Sequence, residues 1–322
     1  MKAIQVKRTG GPEVLELVDL PTPEPGPGEI LVRQEAVGLN YIETYQRSGL
    51  YPVPTPFVLG GEGAGVVEKL GEGVTRFKVG DRAAYAGGFG AYAEFRALPA
   101  GRAVKLPDAI SSETAAGAML KGMTAEYLVR RTYPVQPGDT ILVYAAAGGV
   151  GSILVPWAKH LGAVVIAVAG GAAKGQIARD LGADHVIDHH GEDIAARVKE
   201  ITGGQGVRVV YDGIGKATFD ASLASLGRRG MLVIFGNASG SAEPVDPQAL
   251  SRGGSLYLTR PTLFDYVVTT EELDASAAAL FDVIASGVVK IAINQRYPLG
   301  EAAAAHRALE ASETTGSTLL IP

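Results

Sequence analysis

Residues 145–151 have the types and spacing of a loop that binds the phosphates of a dinucleotide. They read Ala-Ala-Ala-Gly-Gly-Val-Gly and follow the β-branched run TILVY at 140–144. Gly148 and Gly151 match the second and third glycines of the G-x-G-x-x-G fingerprint, with alanine in the first position. The second glycine lets the backbone approach a pyrophosphate, and the third lets a helix pack close to its strand. We expect five loop residues to contact the cofactor: Ala147, Gly148, Gly149, Val150 and Gly151.

The next strand indicates which dinucleotide binds. Enzymes that use NAD usually carry Asp or Glu at its end, where the carboxylate binds the ribose 2′-hydroxyl. Here the run VVIAVA at 164–169 is followed by Gly-Gly-Ala-Ala-Lys, and no carboxylate comes before Asp180. We therefore expect no negative charge that would repel a 2′-phosphate. The interaction energy between Lys174 and such a phosphate would be about 1–4 kcal/mol. The pattern favours NADPH; the alternative interpretations are a tight turn without ligand and a solvated Lys174.

The phosphate loop belongs to a repeating pattern that begins near Pro137. Strand-like and helix-like segments alternate, which indicates βαβ units and a parallel sheet covered on both faces. The expected strands are 140–145, 164–169, 184–188, 207–212 and 231–236, and the expected helices lie near 149–161, 172–181, 192–202 and 217–226. Leu-Gly-Ala recurs at 161–163 and 181–183, where a left-handed glycine would end a helix. This part of the chain is a doubly wound α/β domain.

The preceding hundred or so residues have a different texture. Short alternating runs such as EILVRQEAVGL are separated by Pro-rich turns at 21–29 and 48–56, which predicts a mostly β domain with a barrel-like or sandwich-like spacing. GSLYLTRP at 254–261 predicts a last edge strand, and helical texture resumes at 271–286. The tail, another helix followed by STLLIP, is expected to complete the first domain. We divide the chain into a discontinuous first domain, 1–121 and 262–322, and an inserted domain, 122–261.

Composition removes several classes of function. The chain has 322 residues, 47% hydrophobic and 20% charged, and its net charge of −5 supplies no global field for nucleic acid. It has no cysteine, which excludes disulfides, thiol nucleophiles and thiolate metal sites. The start, MKAIQVKRTGG, lacks the apolar core of a signal peptide, so we expect a cytoplasmic protein. The uncharged stretch 140–158 is interrupted by glycines and Pro156, so we expect no membrane insertion.

Longer motifs resemble one family. They are GGPEVL (10–15), AVGLNYIETYQRSGLYP (36–52), LGGEGAGVV (59–67), KGMTAEYL (121–128), AAAGGVG (145–151), FGNASG (235–240) and GSLYLTRP (254–261). They resemble the medium-chain dehydrogenase/reductases, and within them the zinc-free, NADPH-dependent quinone oxidoreductases related to zeta-crystallin. The resemblance covers essentially the whole chain. It implies a doubly wound, dinucleotide-binding domain inserted into a mostly β, GroES-like catalytic domain.

The resemblance also gives meaning to Gly61. Zinc-dependent alcohol dehydrogenases of this family carry Gly-His-Glu where this chain has Gly60-Gly61-Glu62, and a zinc-binding cysteine where it has Asn40. Both side chains that would bind zinc are therefore missing. Without zinc no Lewis acid polarises an alcohol or carbonyl. We expect no metal site, and acceptors that are activated by their own conjugation; Glu62 is expected to keep a structural role.

The resemblance implies the remaining site residues. Asn40 and Thr124 would lie by the nicotinamide, although a turn residue and a helix-face residue are the plain alternatives. Tyr45 and Tyr51 are candidates for the acceptor pocket, since a ring can stack on a quinone and a phenol can donate to its carbonyl; ordinary packing is the alternative. His189 stands where related reductases often carry a tyrosine near the adenosine and, if protonated, could assist Lys174. Four further cofactor contacts are implied more loosely: Phe235, Gly236, Asn237 and Arg260.

The expected function is NADPH:quinone oxidoreductase activity in a homodimer joined through the edge strand SLYLTR. Three alternatives stay open. An alkenal or enone double-bond reductase would use the same scaffold, a crystallin-type protein would bind NADPH without turnover, and an RNA-binding protein would need a basic stripe that is not evident. The histidine-rich stretch 184–193 is interpreted as a polar loop rather than as a metal site.

Overall fold

The computed structural model describes every residue of the chain, Met1–Pro322. The chain forms two compact units. Unit 1 comprises Met1–Met123, Val267–Ala285 and Ile291–Pro322, and unit 2 comprises Thr124–Tyr266 and Ser286–Lys290. The contacts thus group 286–290 with unit 2, whereas the sequence analysis assigned them to the first domain. The division at 121/122 and 261/262 stays a prediction about domains.

Unit 1 is mostly β, as expected. Its strands are β1 (Lys2–Val6), β2 (Leu15–Asp19), β3 (Glu29–Leu39), β4 (Phe57–Val58), β5 (Glu62–Leu70), β6 (Arg82–Ala86), β7 (Phe95–Pro99), β8 (Ala103–Lys105), β15 (Ile293–Pro298) and β16 (Ser317–Ile321). Its helices are α1 (Tyr41–Ser48), α2 (Ser112–Ala116), α9 (Thr270–Ala285) and α10 (Ala302–Glu310), and it contains the first part of α3 (Met119–Tyr127).

The long strand β3 organises this unit. It pairs antiparallel with β5, β7 and β16, so the C-terminal strand lies beside the first half of the chain. A second, three-stranded sheet has the order β2-β1-β4. Val32, Val37 and Leu59 belong to the buried core of the unit, which also includes Leu320 from the tail. The expectation that STLLIP returns to the first domain is confirmed by this pairing.

Unit 2 alternates strands and helices. Its strands are β9 (Thr140–Val143), β10 (Val164–Ala169), β11 (His185–Asp188), β12 (Val207–Asp212), β13 (Leu226–Ile234) and β14 (Tyr257–Thr259). Its helices are α4 (Gly151–His160), α5 (Gly171–Asp180), α6 (Ile194–Ile201), α7 (Phe219–Ser225) and α8 (Pro247–Arg252). None of the helices in the chain combines the length and apolar character needed to cross a membrane.

The six strands of unit 2 form one parallel sheet in the order β11-β10-β9-β12-β13-β14. This is the 3-2-1-4-5-6 order of the dinucleotide-binding fold, so the predicted doubly wound class is confirmed. Gly162 and Gly182 have φ of +90° and +99°, the left-handed conformation expected where α4 and α5 end. Most boundaries differ by one or two residues, and one differs by more: β13 begins at Leu226, because Leu226 already pairs with Val207 before a register shift.

Candidate functional site

The phosphate loop joins β9 to α4 and leaves little room beside its glycines. A Cβ on Gly151 would lie 2.4 Å from the carbonyl oxygen of Ala145, and one on Gly148 would lie 3.1 Å from the same atom. Helix α4 begins directly after Val150, while Gly148, Gly149 and Val150 remain partly exposed. The loop backbone is therefore tightly packed against Ala145, while residues 148–150 remain open to solvent. This arrangement fits a pyrophosphate bound at a helix N-terminus.

The end of β10 differs from the expectation in one respect. Gly171 has φ of +75°, and its amide donates to Asp188 Oδ1 at 2.9 Å. Asp188 comes from the neighbouring strand β11 and also accepts from the His190 amide at 3.0 Å. These two amides lower the pKa of Asp188 and keep it ionised. The expectation that no carboxylate lies here was wrong, because an adjacent parallel strand ends at the same edge.

His189 lies near that carboxylate, and Lys174 lies near His189. Lys174 is in the first turn of α5, and a Cβ on Gly170 would lie 2.8 Å from His189 Nε2. Burial, followed by the charge of His190, lowers the pKa of His189 below its ordinary value. This direction favours the neutral ring when no phosphate is bound, and assistance of Lys174 by a protonated His189 stays a prediction. Lys174, in the first turn of α5, is the positively charged side chain that the sequence analysis assigned to the 2′-phosphate.

The last strands of the sheet bring the remaining cofactor candidates to its carboxyl edge. Phe235, Gly236 and Asn237 follow β13, and the Phe235 amide donates to the Asp212 carbonyl at 2.8 Å. A Cβ on Gly236 would lie 2.3 Å from the carbonyl oxygen of Gly213, so only glycine fits there. Arg260 follows β14 and its Nη1 donates to the Ile234 carbonyl at 3.3 Å. These residues share the sheet edge with the phosphate loop, where such folds bind their ligands.

In unit 1, Asn40 is the buried N-cap of α1. Its side-chain Nδ2 donates to Glu62 Oε2 at 2.8 Å, and its backbone amide donates to Glu43 Oε2 at 2.6 Å. The second bond is one arm of a capping box, in which the third helical residue binds the amide of the N-cap. Asn40 thus caps the helix and its side chain is held by a buried carboxylate, while its contact with the nicotinamide stays a prediction.

Glu62 begins β5 and is fully buried. Its Oε2 also accepts from Lys121 Nζ at 3.2 Å, and its Oε1 accepts from the Leu120 amide at 2.7 Å. Lys121 lies on α3 with only 7% of its side chain exposed. A carboxylate removed from water needs such partners, since burial of an unpaired charge is costly. Glu62 is thus the acceptor at the centre of a closed network.

A second carboxyl lies beside it. Glu43 is fully buried, and its Oε1 accepts weakly from the Gly61 amide at 3.3 Å. Burial raises the pKa of Glu43 to about 8; the charge of Lys121 opposes this rise and that of Glu62 adds to it. Glu43 is therefore mostly protonated at pH 7. We call Asn40, Glu43, Glu62 and Lys121 the Glu62 cluster.

Gly61 lies against this cluster. Its φ is outside the left-handed region, so its backbone does not require glycine. A Cβ there would meet the carbonyl oxygen of Gly88 at 3.2 Å, and Arg96 Nη2 holds the same loop through the Gly87 carbonyl at 2.7 Å. No group of three or more His, Cys, Asp or Glu side chains in the chain could hold a metal ion. An amide, a glycine and a carboxylate already bound to an ammonium group do not fit zinc.

Tyr45 and Tyr51 lie together at the far end of α1. Their ring centroids are 5.1 Å apart, and Tyr41 adds a third ring 5.8 Å from Tyr45. The Tyr51 amide also donates to the Tyr45 carbonyl at 3.0 Å. Tyr45 is buried and Tyr51 is half-buried, so Tyr51 is the more accessible ring. Thr124 is half-buried on α3, one turn after Lys121.

Sequence reasoning missed three of these residues. Glu43 had a detectable signal, since Asn40-x-x-Glu43 is the spacing of a capping box. Lys121 is flanked by the apolar and small residues of MLKGM, which suggests burial but identifies no partner. Asp188 was expected at the end of strand 184–188 and within the polar stretch 184–193, but no partner was assigned to it; the structure places it in β11, so the first part of that stretch is a strand and not a loop. Its position beside Gly171 follows from the pairing of β10 with β11 and could have been derived from the strand order.

Comparison with known proteins agrees with this architecture. Two family models match, the alcohol dehydrogenase GroES-like domain at 26–108 and the zinc-binding dehydrogenase at 149–282. A quinone oxidoreductase of Pseudomonas aeruginosa is 53% identical over 100% of this chain and 99% of its own length. A solved Escherichia coli quinone oxidoreductase, complexed with NADPH, has a TM-score of 0.98 at 48% identity and complete coverage of both chains. A 2-haloacrylate reductase of Burkholderia is 43% identical over 99% of this chain and 98% of its own length.

The chain therefore belongs to the quinone oxidoreductase family of the medium-chain dehydrogenase/reductases. The resemblance predicted from the motifs is confirmed. The description of the second family model refers to zinc, but the donors around Glu62 do not fit that ion.

Proposed function

We propose that this protein is a zinc-independent NADPH:quinone oxidoreductase. The observation that carries the proposal is the glycine-rich turn of unit 2, which is packed closely enough to fit a pyrophosphate. The Glu62 cluster of unit 1, which has no place for a metal, supports its zinc-independent part. The overall reaction is NADPH, a proton and a quinone giving NADP⁺ and a hydroquinone. NADPH supplies the two electrons and a hydrogen; the protein binds and orients the reactants.

The proposed cofactor site lies along the carboxyl edge of the parallel sheet. Tight packing at Gly151 and Gly148 keeps the loop backbone close to a pyrophosphate, and the N-terminus of α4, which begins at Gly151, supplies positive potential. Lys174 supplies positive charge for a 2′-phosphate. Asp188 opposes it from β11, so we expect a clear but incomplete preference for NADPH over NADH. The NADPH bound to the E. coli relative supports this choice.

The proposed acceptor is a small conjugated molecule. The Asn40 side chain, fixed by Glu62, and the Thr124 hydroxyl would orient the nicotinamide or its ribose. Tyr51 and Tyr45 would face the acceptor, with the more accessible Tyr51 ring available for stacking or for a hydrogen bond to the carbonyl oxygen that gains charge. A conjugated carbonyl needs no Lewis acid to accept the hydride, which agrees with the donor set around Glu62.

A second function is the reduction of an activated carbon–carbon double bond. The 43% identity to a 2-haloacrylate reductase favours it, because the two chains align over nearly their full lengths. We also propose a homodimer formed through β14, the short edge strand of unit 2, on which Tyr257 is 53% exposed. The absence of cysteine supports a cytoplasmic location.

The acceptor profile tests the proposal. Oxidation of NADPH by the purified protein is measured with 1,4-benzoquinone, an ortho-quinone, a simple enal and 2-chloroacrylate. Turnover with the quinones and little with the others supports the first function, whereas turnover with the enal or 2-chloroacrylate alone assigns the second. Binding of NADPH without turnover of any acceptor contradicts both.

Lys174→Met tests the cofactor assignment. We expect the ratio of kcat/KM for NADPH to that for NADH to fall about tenfold, because one charge near a phosphate contributes at least about 1 kcal/mol. The matched control is Lys199→Met, which removes an exposed lysine from α6 in the same unit. An unchanged ratio in Lys174→Met would show that the 2′-phosphate is recognised elsewhere.

A further inference from the structure

Lys121 has a role that the proposed function does not yet include. Its ammonium group is buried against the carboxylate of Glu62, which is itself fully buried. We propose that Lys121 is a positioning residue: it neutralises Glu62 from within the chain, and Glu62 in turn fixes the side-chain amide of Asn40. This inference rests on the proposed function, because its readout is the reaction in which Asn40 takes part.

Glu62 links Lys121 to Asn40. One oxygen, Oε2, accepts both from Lys121 Nζ at 3.2 Å and from Asn40 Nδ2 at 2.8 Å. The other oxygen is already used by the Leu120 amide at 2.7 Å. The lysine and the asparagine therefore act on one and the same atom. Any change in the charge or position of that oxygen is transmitted directly to Asn40.

Glu62 also determines which way the Asn40 side-chain amide is turned. With Nδ2 toward Glu62, the Asn40 side chain donates to an ionised oxygen. The flipped amide would place its own oxygen against that carboxylate, which is repulsive. Glu62 thus selects one orientation of the amide, provided that it keeps its charge. Lys121, with Nζ 3.2 Å from the same carboxylate, supplies the counter-charge in this buried site.

The surroundings contain no substitute for Lys121. Glu43, from α1, is a second carboxyl and adds no positive charge. Tyr85 from β6 and Tyr92 are buried phenols, and burial raises the pKa of Tyr85 to about 12 and that of Tyr92 well above its ordinary value. Arg96, from β7, lies over the Tyr85 ring at 4.3 Å and donates to Gly87. Lys121 is the cation that contacts Glu62.

This arrangement also accounts for the retained Glu62. A buried carboxylate beside Asn40 and Gly61 has no metal to neutralise it, since those two positions provide no ligand for zinc. An ammonium group at 3.2 Å supplies one positive charge in its place and needs no open coordination position. The cluster therefore keeps a charged Glu62 while it gains no Lewis acid.

A double-mutant cycle tests the inference. Asn40→Ala, Lys121→Met and the combined variant are compared with the natural chain for kcat with 1,4-benzoquinone at saturating NADPH, and for the Kd of NADPH by fluorescence titration. We expect each single change to lower kcat about ten- to a hundredfold, because a misplaced orienting group costs that much. We expect the combined variant to be no slower than the slower single one, since Lys121 acts through Asn40.

The control is Lys105→Met, which removes an exposed lysine that pairs with Asp81 in the same unit; its kcat should not change. Unchanged kcat in Lys121→Met, or effects that multiply in the combined variant, would overturn the inference. If Lys121→Met does not fold, the cycle is run on Lys121→Met/Glu62→Gln, which removes both charges, with the same expected non-additivity.

Failure of the proposed function gives a different pattern. In that case the natural chain itself reduces no acceptor, and the cycle is read from the Kd of NADPH, where non-additive losses still support Lys121 and independent ones overturn it. If the natural chain is active but Asn40→Ala turns over normally, the positioning role is contradicted while the quinone assignment stands.

Discussion

Unit 1 contains two buried charged clusters that share helix α1 but have opposite charge balances. The Glu62 cluster has two carboxyl groups and one ammonium group. The other, which we call the Arg47 cluster, consists of Arg47, Tyr92, His306 and Glu310. Arg47 donates to both carboxylate oxygens of Glu310, at 2.7 and 3.0 Å, and its Nη1 lies 3.0 Å from His306 Nδ1. Here two groups that can be cationic share one carboxylate.

Each cluster keeps one ion pair and neutralises its third titratable group. In the Glu62 cluster the neutral group is Glu43, whose pKa burial raises to about 8. In the Arg47 cluster it is His306, whose pKa is lowered to about 3 by burial and by Arg47. Because Arg47 can only donate, His306 Nδ1 accepts and its Nε2–H donates to the Tyr92 hydroxyl at 3.1 Å. In both clusters the buried group left outside the ion pair loses its charge, whatever its sign.

The largest difference should appear when the carboxylate of each pair is removed. Glu62→Gln leaves a buried Lys121 without its counter-charge, and we expect a loss of about 3–5 kcal/mol in the free energy of unfolding. Glu310→Gln should cost about 1 kcal/mol, because the Glu310 side chain is 35% exposed to water and the buried Arg47 keeps the Gly10 carbonyl and His306 Nδ1 as acceptors. Urea unfolding of both variants measures the contrast, and equal losses would contradict the distinction between the clusters.

A smaller effect is expected in the dependence of stability on pH. Glu43 holds a proton in the folded chain up to pH about 8 but releases it near pH 4.5 when unfolded. Its contribution is complete below about pH 4.5 and is lost as the pH rises to about 8, at up to about 1.4 kcal/mol per pH unit. Glu43→Gln should remove this decline, so the variant's stability relative to the natural chain should rise between pH 6.5 and 8. A constant difference over that range would show that Glu43 is ionised.

A pH effect of the opposite sign is expected for His306. Its folded pKa of about 3 lies below the ordinary 6.5, so its contribution is complete above about pH 6.5 and is lost as the pH falls. His306→Gln can still accept from Arg47 and donate to Tyr92, and it should lose less stability on acidification than the natural chain. The difference is read between pH 6.5 and 4.5, because other carboxylates protonate below that range. Parallel curves for the two proteins would mean that His306 is already charged.

The comparison also shows what the sequence could predict. The glycine-rich turn between β9 and α4, the helix-ending glycines and the alternation of strands and helices depend on neighbours within a few residues, and these structural predictions were confirmed. Phosphate binding by that turn stays a prediction. Lys121 and Glu62 are 59 positions apart, and Arg47 and His306 are 259 apart. Nothing in either local pattern identifies the other residue. Pairs of this kind become evident only when the sheets have brought their elements together.

Asp188 shows an intermediate case. It is 17 positions from Gly171, and the two meet because β10 and β11 are adjacent parallel strands. The strand order of a doubly wound sheet predicts that the ends of β10 and β11 are neighbours, whereas the residues that directly follow β10 in the sequence do not show it. The assignment of Lys174 was therefore made without the carboxylate that weakens it.

The central claim is that reduction of quinones proceeds without a metal, with Lys121 neutralising Glu62. The most direct measurement is NADPH oxidation with 1,4-benzoquinone by protein that has been treated exhaustively with a chelator, with its metal content determined by mass spectrometry on the same sample. We predict undiminished kcat with no stoichiometric metal, and no gain on addition of zinc. Loss of turnover on chelation, followed by recovery with one zinc ion per chain, would contradict the account.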